Sequence, residues 1–384
     1  MRPLSIFKFS GLITLFLLAA PFAALAATTV QPVRDDEVIE VLPVITRNRP
    51  NALVSDRKAP DATSAAIAVR QDISQARQTG DTRYWGRAQS ALGPWWDRAD
   101  APVDMAILQA TVQQGRHEFE ASRKVLVAAL TRAPNHAQGW LNLAALERLS
   151  ANYAQALAAC ARVASAGQAL YAQACALETQ SLQGQHQAAT QGLQALANQA
   201  SDSGQRSWLW SLLAESQERW GRDAAAAEAF QRSLAFDADL YTAIAYSDLL
   251  LRTGKLAQAL TVLSPLPETD AVLLRRATAW RRLGDARWSN ALATLKERTA
   301  ELKRRGDDPT LHGRELALIA LWLEDDPARA LVLARSNLTL QREPVDWWVA
   351  LQSAQQAKDA AAMAELTNLL RQTGLQDTRL AGAR

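Results

Sequence analysis

In the stretch PNHAQGWLNLAALERLSANYAQALAACARV (134–163), Trp140, Leu143 and Ala144 stand at i, i+3 and i+4, and Tyr153, Ala156 and Cys160 follow a turn. The spacing recurs. Trp210, Leu213 and Ala214 precede Gly221, Ala226 and Phe230, while Phe119, Ala129 and Leu130 close on Pro134. Residues at i, i+3 and i+4 share one helix face. Each segment therefore predicts two helices joined by a turn, with a small residue wherever the two approach. Proline ends the second helix before the next pair begins. A pair this small buries its apolar face only against another pair. Recurrence thus predicts a stack, where 384 residues alone would suggest two or three globular domains.

This pattern resembles the tetratricopeptide repeat, a helix–turn–helix unit of about 34 residues. Weaker copies mark 62–98 (Gly80, Ala88, Leu92), 170–203 (Gly184, Ala189), 240–270 (Gly254, Ala259) and 270–309 (Gly284, Ala291). Two more cover 311–344 (Ala330 after Asp326-Pro327) and 345–378 (Trp348, Leu351, Ala364). The resemblance implies an all-α, right-handed superhelical solenoid of about nine such pairs over 62–378, with 379–384 as a tail. TGDTRYWGRAQSAL (79–92) echoes LGDARWSNALATL (283–295). The echo predicts longer turns in those two hairpins and equivalent packing positions for Trp85 and Trp288. Pro94 then puts Trp95 and Trp96 at a junction between pairs.

The first 26 residues read differently. Arg2 and Lys8 precede an apolar run (11–26) that ends Ala24-Leu25-Ala26, the pattern of a secretory signal cleaved near Ala26/Ala27. The run falls short of the ~20 residues of a spanning helix, so no membrane span is expected after cleavage. Residues 27–61 hold Pro32, Pro43, Pro50 and Pro60 and read as an extended or disordered arm. Export implies a periplasmic or secreted protein. Without Arg2 and Lys8, the 42 basic residues fall to 40 against 39 acidic ones, a net charge near +1. That balance argues against nucleic acid as a partner. Cys160 and Cys175 fall in adjacent helices, and an exported protein with an even cysteine count predicts a disulfide between them.

Catalytic patterns are missing. His117-Glu118-Phe119-Glu120 starts like a zinc-binding H-E-x-x-H, but position 121 is alanine. His117 and His186 fall in turns, where an exposed polar residue is ordinary. Arg305-Gly306-Asp307 reads as a helix stop rather than an adhesion signal. No G-x-S-x-G, Walker loop or G-x-G-x-x-G occurs. The chain reads as a non-enzyme without metal or cofactor.

By resemblance, tetratricopeptide repeats bind a protein or peptide on the concave face, lined by the first helix of each pair. There the sequence places Trp208, Glu215, Glu218, Arg219, Tyr241, Ile244, Asp248, Arg252, Arg281 and Arg282, a lining of aromatic surface and both charges. The Lys/Asn set that clamps a carboxyl terminus is absent; its ninth position holds Ala145, Glu178, Glu215 and Asp248. The arm, YWGRAQSALGPWW and the 304–348 stretch also resemble exported bacterial repeat proteins of no assigned activity. A periplasmic scaffold or adaptor is therefore expected, the alternative being a glycan- or peptidoglycan-associated accessory protein of a cell-envelope enzyme system.

Overall fold

The computed structural model describes residues 61–304 and 308–383. The expected signal sequence, almost all of the arm and the helix stop expected at Arg305-Gly306-Asp307 lie outside the described residues. The described chain is all-α and forms nine antiparallel helix pairs, a tetratricopeptide-like superhelical stack. They are α1 (Ala62–Thr79) with α2 (Arg83–Leu92), α3 (Val103–Gly115) with α4 (Phe119–Arg132), and α5 (Ala137–Leu149) with α6 (Tyr153–Ser165). Next come α7 (Ala169–Leu182) with α8 (His186–Gln199), α9 (Ser203–Arg219) with α10 (Asp223–Phe236), and α11 (Leu240–Arg252) with α12 (Leu256–Leu263). The last three are α13 (Asp270–Leu283) with α14 (Arg287–Arg304), α15 (Gly313–Trp322) with α16 (Pro327–Asn337), and α17 (Pro344–Gln356) with α18 (Ala360–Thr373). A 3-10 turn (Pro309–His312) precedes α15, and a 3-10 helix (Thr378–Ala383) follows α18. Of the expected tail, residues 379–383 belong to that 3-10 helix.

Local chemistry explains the boundaries. Asp61, Asp202, Asp239, Asp326 and Asp359 accept backbone N–H groups of the first helical turn, as aspartate at an N-cap does. Every turn within a pair contains one residue of positive φ: Gly80, His117, Ala151, Gly184, Gly221, Gly254, Gly284, Asp325 and Lys358. One left-handed residue reverses the chain so that the partner helix runs back antiparallel. The small residues act as the spacing predicts: Ala144, Ala156, Ala214 and Ala226 are fully buried, which lets paired helices pack closely.

The echo between 79–92 and 283–295 differs from expectation in two ways. Both turns are three residues long, like those of most other pairs; the extra length lies in α1 and α14, each of 18 residues. Aligning Gly80-Asp81-x-Arg83 with Gly284-Asp285-x-Arg287 then matches Trp288 to Tyr84, not to Trp85. Both carry an arginine over the ring, Arg87 at 5.1 Å on Tyr84 and Arg281 at 5.1 Å on Trp288. Trp85 instead packs against the first two pairs, where Gly115 leaves the space its ring occupies. Trp95 and Trp96 cover the same cluster, half-buried.

The superhelix is tight enough for the later pairs to lie against the turns of the earlier ones. The backbone N–H of Arg342 donates to Leu149 O at 2.7 Å, and that of Gln376 donates to Leu182 O at 2.8 Å. Thr378 Oγ1 donates to Arg219 O at 3.1 Å across 159 residues of sequence. His117 meets His312 edge to face, ring centres 5.6 Å apart. One apolar cluster consequently joins Tyr153 and Leu182 of the third and fourth pairs to Trp347, Leu375 and Leu380. Two histidines are thus less exposed than the sequence suggested. His186 is buried and stacks on Trp220, and His117 is half-buried against Phe119. Cys160 and Cys175 form the expected disulfide between α6 and α7, Cα atoms 5.6 Å apart.

Candidate functional site

The first helices of the later pairs converge on a cleft of about 180 Å³. Glu218 comes from the end of α9, Asp248 and Arg252 from α11, Arg282 from α13, Trp322 from α15 and Trp348 from α17. A shallower recess of about 380 Å³ shares Arg282, Trp322 and Trp348 and adds Arg281, Gln352 and Gln356. Helical spacing explains the register: α11 offers Asp248 and Arg252 four residues apart, on one face. Trp322 and Trp348 meet edge to face with ring centres 6.1 Å apart, an aromatic corner between α15 and α17.

The charges of the cleft are largely committed. Arg252 bridges Glu218 at 3.1 Å and Asp223 at 2.7 Å. Burial opposes its charge, but those two carboxylates hold its pKa above the ordinary value. Asp248 accepts both Nε and Nη2 of buried Arg275, at 2.9 and 2.8 Å. Arg281 donates to the carbonyl of Trp322 at 2.6 Å and pairs with Asp325. Arg282 is the exception. It donates to Leu251 O at 2.8 Å and has no carboxylate partner among the described residues; partial burial lowers its pKa. The cleft therefore offers one guanidinium without a carboxylate partner beside an aromatic corner, suited to an apolar group with an adjacent acceptor.

Of the residues expected on the concave face, the structure brings Glu218, Asp248, Arg252, Arg281 and Arg282 together around this cleft. The others lie elsewhere. Trp208 packs on Tyr171, ring centres 5.6 Å apart, and Ile244 lines a separate, wider hollow. Tyr241 is exposed and donates its hydroxyl to Glu215 at 2.8 Å. Arg219 is buried, held by Ser181 at 3.1 Å and Glu215 at 3.4 Å. Sequence reasoning missed Trp322, Trp348 and Arg379 as cleft residues. Trp348 marked a repeat in the sequence, but only the curvature of the stack shows that it faces Arg282.

Among the described residues, no group of three or more His, Cys, Asp or Glu is arranged to hold a metal ion, and no helix is long and apolar enough to cross a membrane. The sequence matches no family model, and no curated protein matches it. The fold does have solved counterparts among tetratricopeptide-type helical repeat proteins. A Rap protein complexed with competence and sporulation factor superimposes with a TM-score of 0.54 at 9% identity, over 86% of this chain and 91% of that one. Human IFIT1, solved as a dimer with PPP-AAAA, reaches 0.43 at 10% identity over 76% and 69%. The Cut9 and Hcn1 assembly reaches 0.40 at 12% identity over 81% and 74%. The Rap likeness supports the superhelical repeat fold.

Proposed function

We propose that this protein is a non-catalytic scaffold, exported to the bacterial periplasm, that holds a protein or peptide partner in its cleft. The observation that carries this reading is the cleft itself: a tryptophan corner beside Arg282, which has no carboxylate partner among the described residues, on carboxylates already bound to arginines. Such a surface can seat a side chain and anchor an acceptor, while its acids are held as ion pairs. The Rap protein, which shares the fold, was solved in a complex with a partner factor. Export rests on residues 1–26 and is in keeping with the Cys160–Cys175 bond, since disulfides persist in oxidising compartments.

A photo-crosslinking amino acid at Gln352, in cells expressing the protein, tests the cleft. A discrete adduct in the periplasmic fraction is expected, and Trp322→Ala with Trp348→Ala should abolish it without loss of helicity. Adducts from Val332, exposed on α16, with none from Gln352, would move the site off the cleft. Quenching of tryptophan fluorescence by soluble peptidoglycan fragments, without a protein adduct, would favour the glycan-associated alternative. Amino-terminal sequencing of the purified protein should begin near Ala27; a chain retaining Met1 would remove the export part of the proposal.

A further inference from the structure

One wall of the cleft is not part of any helix pair. Arg379, in the stretch that follows α18, lines it together with Glu218 and Arg282. Three sets of contacts fix that stretch. Gln376 N–H and Thr378 Oγ1 donate to Leu182 O and Arg219 O, at 2.8 and 3.1 Å. Those carbonyls belong to the last residues of α7 and α9, helix ends whose acceptors have no partner within the helix. Leu375 and Leu380 are buried beside Leu182 and Tyr153. Arg379 Nη1 reaches Glu218 Oε1 at 3.0 Å. Burial opposes the charge of Arg379, yet Glu218 and Asp377 hold its pKa above the ordinary value.

Neither partner would be left with a stranded charge if the two separated. Glu218 keeps Arg252 at 3.1 Å. Arg379 keeps Asp377, to which its backbone N–H and Nε both donate at 2.9 Å. The same Asp-x-Arg clip closes on itself at the exposed positions Asp81/Arg83 and Asp285/Arg287, so it needs no seat to form. A buried ion pair that strands an ion when broken is a poor candidate for exchange; this one strands none.

We infer that residues 375–380 are an intramolecular ligand of a peptide seat on the ends of α7 and α9. The incoming partner takes that seat with a cationic residue flanked by apolar ones. This rests on the cleft as the partner site and adds how access to it is controlled: Arg379 must leave for a partner to reach Glu218. The apolar flanks are required because Leu375 and Leu380 leave an apolar surface behind them. The cation is required because Glu218 is the penultimate residue of α9, beside a helix C-terminus whose carbonyls favour positive charge.

The test needs no knowledge of the partner. A protease recognition sequence is inserted after Gly374, where the surroundings are open. The full chain is folded, cut and exchanged against a fluorescein-labelled peptide of residues 375–384. Saturable binding to the cut protein is expected, with none to the uncut protein, and a peptide carrying Arg379→Glu should bind at least about tenfold more weakly. Cut protein that keeps its helicity but takes up no peptide would overturn the inference. So would collapse of α7–α10 on loss of the segment, because the segment would then be core and not ligand. Either failure leaves the crosslink from Gln352 to be judged on its own.

Discussion

Glu215 shows how one residue's surroundings set its chemistry. Burial pushes its carboxyl up to about 6, against the pull of Arg219 and the hydrogen bond from Tyr241. The raised value means that the folded chain holds a proton the unfolded chain releases. That contribution is fully present below the ordinary value of 4.5 and is lost as pH rises through about 6. A shift of this size corresponds to at most about 2 kcal/mol, trimmed by the partial exposure of the side chain. Denaturant midpoints should therefore decline between about pH 4.5 and pH 6 in the wild type. Glu215→Gln should flatten that decline, since the amide oxygen still accepts from Tyr241. An unchanged pH slope in the variant would assign the decline to other groups. The sequence placed Glu215 on the inner face by its helix position, but position within one helix does not reveal what the next pair lays over it.

At the scale of elements, the sequence was legible because each pair is a local object. The spacing of Trp140, Leu143 and Ala144, and the alanines facing them, depend only on the geometry of two helices and a turn. The nine pairs accordingly fall where the repeats predicted. What failed was register across unlike neighbours: Trp85 and Trp288 look alike in the chain, but the Asp-x-Arg clips show them one position apart. The disulfide was legible for the same local reason, because α6 and α7 are consecutive and packed together. It closes a loop with a sequence separation of 15. In the chain-entropy account that stabilises by about 3 kcal/mol. Replacing both cysteines by serine should lower the denaturant midpoint correspondingly, and adding reductant to the wild type should reproduce the loss. Equal midpoints with and without reductant would mean that packing of α6 on α7 alone carries this part of the stack.

The whole molecule departs from what a repeat sequence leads one to expect. A solenoid in which each unit meets only its neighbours responds to a mutation locally. Here the third, fourth and fifth pairs touch residues 342, 376 and 378 through their turns, and Tyr153 stands in an apolar cluster built mostly from α13–α18. None of these contacts has a sequence signature, since each depends on the accumulated rotation of several pairs. The cleft was half-legible for that reason: Arg252 and Arg282 follow from repeat position, whereas Arg379 and Trp322 follow only from closure of the superhelix. Tyr153→Ala decides whether closure is energetically real. Removing this buried ring should cost on the order of 3 kcal/mol. If the seam couples the halves, hydrogen exchange in α15–α18 should accelerate in the variant although those helices lie far along the chain. A nearest-neighbour stack would instead lose protection in α5–α7 and leave α15–α18 as slow as in the wild type. That second pattern would make the seam a passive contact.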